Sequence, residues 1–240
     1  MFVTATGDYN LISANMDISF CTLKKGQCLN LFSETQETAL LLISGAVSFN
    51  NESPRVRKSP FENSPHCIHF ARGESLNVLA VEDSEILIQK TENKNKFETK
   101  IYTEENIKTF ISCEGKWEDT AKRKVSHIFD YDNAPYSNMV LGEVIAYQGR
   151  WWSYPPHGHP QPEVYFYKFA RKEGFGACFI GDTAHTIKDN SFAVFENGLT
   201  HAQVTAPGYP MYCAWLIRHI DGKPWKCDRI VDKNYKWLEE

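Results

Sequence analysis

The stretch YPPHGHPQPEVYFYKF, residues 154–169, decides how the rest of the chain is interpreted. It places His157, His159 and Glu163 within seven residues and runs directly into an aromatic segment that alternates like a β-strand. Side chains of a strand alternate between its two faces, so histidines at i and i+2 share one face. A carboxylate four residues later, beyond a tight Pro-rich bend, can turn back to the same point. The stretch therefore predicts a metal site built on a β-hairpin.

A fourth candidate ligand, His201, lies in the segment ENGLTHAQVTAPGY, residues 196–209. We expect it to come from a neighbouring strand that faces the hairpin across a barrel. Three imidazoles and one carboxylate suit a divalent metal ion with open coordination positions, and Zn, Mn, Fe and Ni all accept such a set. A bare His-x-His pair is more often a surface loop, but the four-part pattern in a β-rich chain favours a metal site.

The composition limits the classes of partner. The chain has 240 residues and a formal net charge of −4, and it carries no basic block or tail, which argues against nucleic acid or an acidic membrane surface. No apolar run is long enough for a transmembrane helix, and the first residues lack the pattern of a secretory signal. The seven cysteines are scattered without a CxxC pair, which is typical of reduced thiols in a cytoplasmic protein.

Short apolar runs separated by Gly, Asp and Asn predict β structure along most of the chain. TALLLISGAVSFN, residues 38–50, indicates a buried strand, a turn at Gly45 and a second strand. A charged, weakly apolar stretch follows, in which TEENIKTF, residues 103–110, can form one short helix or cap a barrel. The strand pattern then resumes at Val125.

Two β-rich parts of similar size follow from this pattern. We predict an all-β bicupin, that is, two barrels of the double-stranded β-helix or jelly-roll type. Residues 1–95 form an N-terminal barrel that lacks metal ligands, residues 96–124 form a linker, and residues 125–240 form the barrel with the metal site. The tail is expected to pack Trp225 and Trp237 back onto the sheet.

A strand-borne His-x-His, a Glu four residues on and a later lone His together form the metal motif of cupin barrels. The remaining histidines carry less weight. His66 and His69 are spaced i, i+3 without a carboxylate at a matching offset. His127, His185 and His219 are expected to be surface or core residues.

The chain resembles the 5-deoxy-glucuronate isomerase family, the bicupin enzymes of myo-inositol catabolism, which are related to the 5-keto-4-deoxyuronate isomerases of pectin breakdown. The first part carries the resemblance in TALLLISGAVSF and FENSPHCIHFARGES. The second part carries it in NMVLGEVIAYQGRWWSYPPHGHPQPEVYFYKF, GFGACFIGD and GLTHAQVTAPGYPMYCAWLIRH. The pairing of WSYPPHxH with TAPGY is the specific part, since a generic cupin shares only the His-x-His. The loop PQP is shorter than in many relatives, which leaves the particular sugar acid open.

The resemblance implies that His157, His159, Glu163 and His201 hold the metal ion. It also implies an aldose–ketose isomerisation, from 5-deoxy-D-glucuronate to 5-dehydro-2-deoxy-D-gluconate, with a small uronic or deoxy-sugar acid as substrate. A Lewis-acid metal suits this reaction, and a base must move a proton between neighbouring carbons. The residues do not identify that base. Metal-bound hydroxide and Glu163 both stay open, with Glu163 ranked first as a ligand.

Candidate catalytic and binding residues lie beside the ligands. Glu163 and Tyr165 are the candidate catalytic residues. The candidate substrate contacts, chosen for their place on the flanking strands or for their positive charge, are Tyr167, Lys168, Gln203 and Tyr209, with Arg171 and Arg218 as further partners for a carboxylate.

Two other functions remain open at this point. An Fe-dependent cupin dioxygenase would use the same ligands, and oxygen uptake would distinguish it from an isomerase. A sugar-binding cupin without catalysis would not need the complete ligand set. The exposed sheet edges of cupins also favour a homo-oligomer.

Overall fold

The computed structural model describes residues 1–239, which are almost entirely β, as predicted. The strands of the first part are β1 (Phe2–Thr4), β2 (Tyr9–Ser13), β3 (Met16–Leu23), β4 (Cys28–Phe32), β5 (Gln36–Phe49), β6 (Arg55–Arg57), β7 (His66–Phe70), β8 (Ser75–Ala80), β9 (Ser84–Glu92) and β10 (Lys100–Tyr102). The later strands are β11 (Lys108–Ser112), β12 (Arg123–Phe129), β13 (Met139–Ala146), β14 (Trp151–Gly158), β15 (Glu163–Phe169), β16 (Gly176–Ile180), β17 (Thr183–Ile187), β18 (Ser191–Phe195), β19 (His201–Thr205), β20 (Met211–Arg218) and β21 (Ile230–Val231). Two short 3₁₀ helices cover Trp117–Asp119 and Lys236–Glu239. No helix formed by residues 1–239 is long and apolar enough to cross a membrane.

The chain divides into two compact units. The N-terminal unit comprises residues 6–108 and 133–138, and the C-terminal unit comprises residues 1–5, 109–132 and the chain from Met139 onward. The stretch expected to be a linker contributes to both units, because β10 pairs with β7 in one unit and β11 joins a sheet of the other. Its TEENIKTF segment forms a turn followed by β11 rather than a helix.

The long strand β5 organises the N-terminal unit. It pairs with β7 and β9 along its first half and with β6 and β8 along its second half. The turn expected at Gly45 is therefore one continuous strand, with a register shift between Leu42 and Ser44 where the partners change. Gly45 has φ of +102°, and a Cβ there would lie 2.4 Å from the carbonyl oxygen of Asp83. Only glycine allows both this backbone conformation and this close approach.

A buried carboxylate connects three parts of the N-terminal unit. Glu37, on β5, accepts hydrogen bonds from His69 Nε2 at 2.9 Å and from the Ser137 hydroxyl at 2.9 Å. Its other oxygen accepts the backbone N–H of Asn138 at 2.7 Å. Glu37 and His69 are both fully buried. His69 therefore has a structural role in this unit.

We expect Glu37→Ala to lower the free energy of unfolding by about 3 kcal/mol, because three donors would lose a buried acceptor that water cannot replace. Urea unfolding followed by circular dichroism measures the change. Glu74→Ala is the matched control, since Glu74 is exposed and lies in a turn. A loss for Glu37→Ala no larger than that of the control would contradict the structural role of the network.

The C-terminal unit consists of two sheets that enclose an aromatic core. One sheet has the strand order β1-β18-β15-β20-β13-β12-β11, and the other has the order β17-β16-β19-β14-β21. Alternate residues of β15, namely Tyr165, Tyr167 and Phe169, point into the core with Trp152 and Trp215. The loop between β14 and β15, residues 159–162, crosses from one sheet to the other. The predicted hairpin therefore spans the barrel.

Candidate metal centre

Three of the predicted ligands meet inside the C-terminal unit. His159 Nε2 lies 3.1 Å from Glu163 Oε2, and His201 Nε2 lies 3.5 Å from the same oxygen. All three side chains are buried, and one ligand atom from each lies within 4.8 Å of the others. His159 directly follows β14, Glu163 begins β15 and His201 begins β19. Three strand ends thus converge on one point.

The fourth predicted ligand, His157, lies beside His201. The two residues are direct partners in the antiparallel pairing of β14 with β19, and their ring centroids are 5.0 Å apart. The expectation that His201 faces the hairpin across the barrel is therefore wrong. His201 lies in the same sheet as His157, and Glu163 reaches the group from the opposite sheet. The reason is the loop at residues 159–162, which carries the chain from one sheet to the other.

Gly158 allows β14 to approach the chain that leads into β19. A Cβ at Gly158 would lie 2.4 Å from the carbonyl oxygen of Gly198 and 3.0 Å from that of Leu199. The glycine between the two histidines is therefore required by packing. It lets the neighbouring histidines and His201 reach the same place.

Two backbone carbonyls orient two of the imidazoles. His157 Nδ1–H donates to the Pro155 carbonyl at 2.7 Å, and His201 Nδ1–H donates to the Leu199 carbonyl at 3.3 Å. A carbonyl only accepts, so the proton lies on Nδ1 and the lone pair on Nε2. Carbonyls and carboxylates commonly hold metal-ligating histidines in this way.

Burial and charge set the protonation of the cluster. Burial lowers the pKa of His157 to about 4, and the Pro155 hydrogen bond opposes this only in part. Burial also lowers the pKa of His201 well below its usual value. Burial alone would lower the pKa of His159, but the hydrogen bond and the charge of Glu163 outweigh it and raise the pKa. His157 and His201 are thus neutral near pH 7, the form that binds metal.

This donor set fits a divalent cation. His201 Nε2 is buried, and it makes no hydrogen bond with any group in residues 1–239, although it lies 3.5 Å from a carboxylate oxygen. An orphaned buried acceptor is costly unless a ligand satisfies it. Neutral imidazoles with one carboxylate are typical ligands of Zn, Mn, Fe and Ni.

A cavity of about 200 Å³ opens onto the four predicted ligands and Tyr165. The Tyr165 hydroxyl lies 3.1 Å from Ser153 Oγ, and its ring packs edge-on against His201. Burial raises the pKa of Tyr165 well above its usual value, so the phenol stays protonated and can donate a hydrogen bond. The structure therefore places Tyr165 where it can contact a ligand.

The four predicted substrate contacts do not line this cavity. The Tyr167 hydroxyl and Gln203 Nε2 both point at the buried Cys178 thiol, at 3.5 Å and 3.8 Å. Lys168, on the opposite face of β15, donates to Asn190 Oδ1 at 2.9 Å. Tyr209 packs against Phe175. Position along β15 explains the first and the third case, because Tyr167 lies deeper in the core than Tyr165 and Lys168 is on the opposite face of the strand.

The two arginines proposed for a carboxylate also lie elsewhere. Arg171 is exposed and lies 3.8 Å from Glu173, and Arg218 lies 3.8 Å from Asp221. Neither residue lines the cavity.

Strand β12 supplies cavity residues that the sequence does not indicate. Arg123, Val125 and His127 alternate along β12, and all three line the cavity. His127, expected to be a surface or core residue, is largely buried between the rings of Phe110 and Trp215 and also lines the cavity. His127 Nδ1 lies 3.0 Å from Asp130 Oδ2. The alternation of the three residues was visible in RKVSHIF, but nothing in the sequence showed that this face points at the metal site.

The fold and the site define the class of protein: a bicupin in which the C-terminal barrel carries a His and Glu cluster of the metal-binding type. The model of the KduI/IolB family matches residues 2–238, and the chain belongs to this family.

Individual relatives agree with this placement. A protein named 5-deoxy-glucuronate isomerase from Geobacillus kaustophilus is 24% identical over 241 residues, which cover 91% of this chain and 83% of the relative. An IolB-like protein from Salmonella typhimurium has a similar structure, with a TM-score of 0.88 at 18% identity, over 100% of this chain and 99% of the other. Oxalate decarboxylase from Bacillus subtilis, a protein with Mn(II) centres, matches with a TM-score of 0.65 at 10% identity, over 96% of this chain and 79% of the other. The two structural likenesses show the cupin fold.

Proposed function

We propose that the protein is a metal-dependent aldose–ketose isomerase that converts 5-deoxy-D-glucuronate to 5-dehydro-2-deoxy-D-gluconate. The observation that carries the proposal is the buried group of His159, Glu163 and His201, open to a cavity, in a chain of the KduI/IolB family. The relatives named for this activity support the choice of substrate.

The proposed ligands are His157, His159, Glu163 and His201. When bound, a divalent cation supplies Lewis-acid stabilisation of the negative charge that develops on the substrate oxygens. The Glu163 carboxylate accepts a hydrogen bond from His159 Nε2 at 3.1 Å and lies 3.5 Å from His201 Nε2, which supports a ligand role for it rather than a base role.

The reaction moves one proton between adjacent carbons. Removal of the proton from C2 of the aldose gives an enediol, and return of a proton to C1 turns the aldehyde into a hydroxymethyl group while C2 becomes the ketone carbon. The hydroxyl proton passes from the oxygen on C2 to the oxygen on C1. No net oxidation occurs and no co-reactant is needed.

His127 is our candidate for the group that carries this proton. Its Nδ1–H faces Asp130 Oδ2 at 3.0 Å, which leaves Nε2 as the acceptor, and its ring lines the cavity. A histidine oriented by a carboxylate is a common general base. Tyr165 would donate a hydrogen bond to a substrate oxygen. These two residues would supply the proton chemistry beside the metal ligands.

We expect the purified, metal-loaded protein to convert 5-deoxy-D-glucuronate to the ketose when the reaction is followed by NMR. In D2O, deuterium should enter the product at the new hydroxymethyl carbon, because a proton on an imidazole exchanges with solvent. A chelator should abolish turnover, and added Mn²⁺ or Zn²⁺ should restore it. Absence of turnover in the metal-loaded protein would refute the assignment. Oxygen consumption during turnover would point to a dioxygenase instead.

A further inference from the structure

A buried arginine without a counter-ion lies in the wall of the metal cavity. Arg123 is 8% exposed and lines the same cavity as the four proposed ligands. Within residues 1–239, no ion pair joins its guanidinium to a carboxylate. Moving a charged side chain out of water costs a large desolvation free energy unless an opposite charge pairs with it. Buried arginines are therefore almost always paired. An anion in this cavity would remove that cost.

The neighbours of Arg123 hold it in place without neutralising it. Its Nη1 donates to the Ala121 carbonyl at 2.9 Å and lies 3.2 Å from Cys113 Sγ. Its partners are thus a backbone carbonyl and a cysteine sulfur, and neither is a carboxylate. Among residues 1–239, no group accepts from Nε or Nη2. The planar guanidinium therefore still has N–H groups to offer, in the geometry that matches two oxygens of a carboxylate.

The second cation of the cavity differs from Arg123. Arg229 also lines the cavity, but its side chain is 41% exposed and lies 3.5 Å from Glu239. Water and a carboxylate thus already compensate its charge. Asp228 lines the cavity too, but it is exposed, and its charge is screened by water. The uncompensated charge belongs to Arg123.

We propose that Arg123 binds the carboxylate of the substrate and makes the site selective for sugar acids over neutral sugars. This inference rests on the proposed function, because it assumes that the ligand of the cavity is a sugar acid. The carboxylate end of the substrate would lie at Arg123, the first residue of β12, and the reacting end would lie at the His and Glu cluster. The substrate would thus be held at both ends.

Steady-state kinetics of the metal-loaded protein test the proposal. Arg123→Met should raise the KM for 5-deoxy-D-glucuronate about 100-fold, with kcat changed much less, because the lost contact is made at a part of the substrate that does not react. Arg123→Lys keeps the charge without the paired N–H groups and should show a loss of about 10-fold. Arg171→Met is the matched control, since Arg171 lies on the surface outside the cavity. A KM for both Arg123 variants within threefold of the control would overturn the proposal.

A binding measurement separates this inference from the proposed reaction. Titration calorimetry with D-glucuronate and with its neutral amide, D-glucuronamide, needs no turnover. The wild type should bind the acid more tightly than the amide, and Arg123→Met should remove that preference. If the wild type fails to isomerise its substrate but shows this Arg123-dependent preference, the proposed function falls and the carboxylate site stands. If the wild type isomerises the substrate and shows no preference for the acid, the carboxylate site falls and the function stands.

Discussion

His159→Ala is expected to lower turnover about a thousandfold and to remove most of the bound metal ion, since Lewis-acid stabilisation by a metal contributes several kcal/mol to catalysis. His159 is the proposed ligand nearest to Glu163, at 3.1 Å, and it lies in the loop where the chain crosses between the two sheets. Its loss removes one donor and leaves Glu163 with His201 as its only remaining imidazole neighbour within 4 Å among residues 1–239.

Metal content by mass spectrometry and turnover by NMR measure this effect independently. His185→Ala is the matched control, because His185 stacks on Phe2 and does not line the cavity. Circular dichroism and urea unfolding establish that both variants are folded. If His159→Ala keeps both its metal and its activity, the assignment of the metal centre is wrong.

His127→Gln is expected to lower kcat by about 100-fold to 10,000-fold, which is the range that general acid–base catalysis contributes. Glutamine keeps a polar side chain near Asp130 but cannot accept and return a proton. Metal content should stay at the wild-type level, because His127 is not among the four proposed ligands. Loss of turnover without loss of the metal ion would distinguish a proton carrier from a metal ligand.

Deuterium exchange gives a second measurement for His127. In D2O the wild type should exchange the proton on C2 of the substrate during turnover, and His127→Gln should lose exchange in proportion to turnover. His185→Gln serves as the control for a histidine outside the cavity. Turnover of His127→Gln above half that of the wild type would exclude His127 as the proton carrier.

The two predictions concern residues that differ in how well their place in the site could be predicted from the sequence. His159 and Glu163 are four residues apart, and the short bend predicted between them agrees with the 3.1 Å that separates their side chains. His157 was predicted to join them and lies beside His201. His201 was assigned from its place after a glycine turn, and the structure brings it to the same cluster. The predicted position of His201 relative to the hairpin was wrong, because the alternation of side chains along a strand does not show which of two sheets that strand joins.

The place of His127 and Arg123 in the cavity, in contrast, could not be predicted from the sequence. They lie 30 residues or more before the proposed metal ligands in a stretch without a strong motif. Their alternation along β12 indicates that they share a face of the strand, but not what that face contacts. The contact arises from the strand order β15-β20-β13-β12, in which β12 is separated from β15 by two strands. Curvature of the sheet, rather than neighbouring sequence, then brings that face to the cavity.

The sequence by itself determined the β class and the two-barrel architecture, because local periodicity shows where strands form. It also supplied the four proposed ligands, through a motif whose last member, His201, is 38 residues beyond Glu163. The tertiary structure decided which side chains share the cavity with those ligands. Tyr167, Lys168, Gln203 and Tyr209 are near the ligands in sequence but lie outside the cavity, whereas Arg123 and His127 are distant and line it. Closure of a barrel joins strands that are far apart along the chain, and the surroundings of the site follow from that closure.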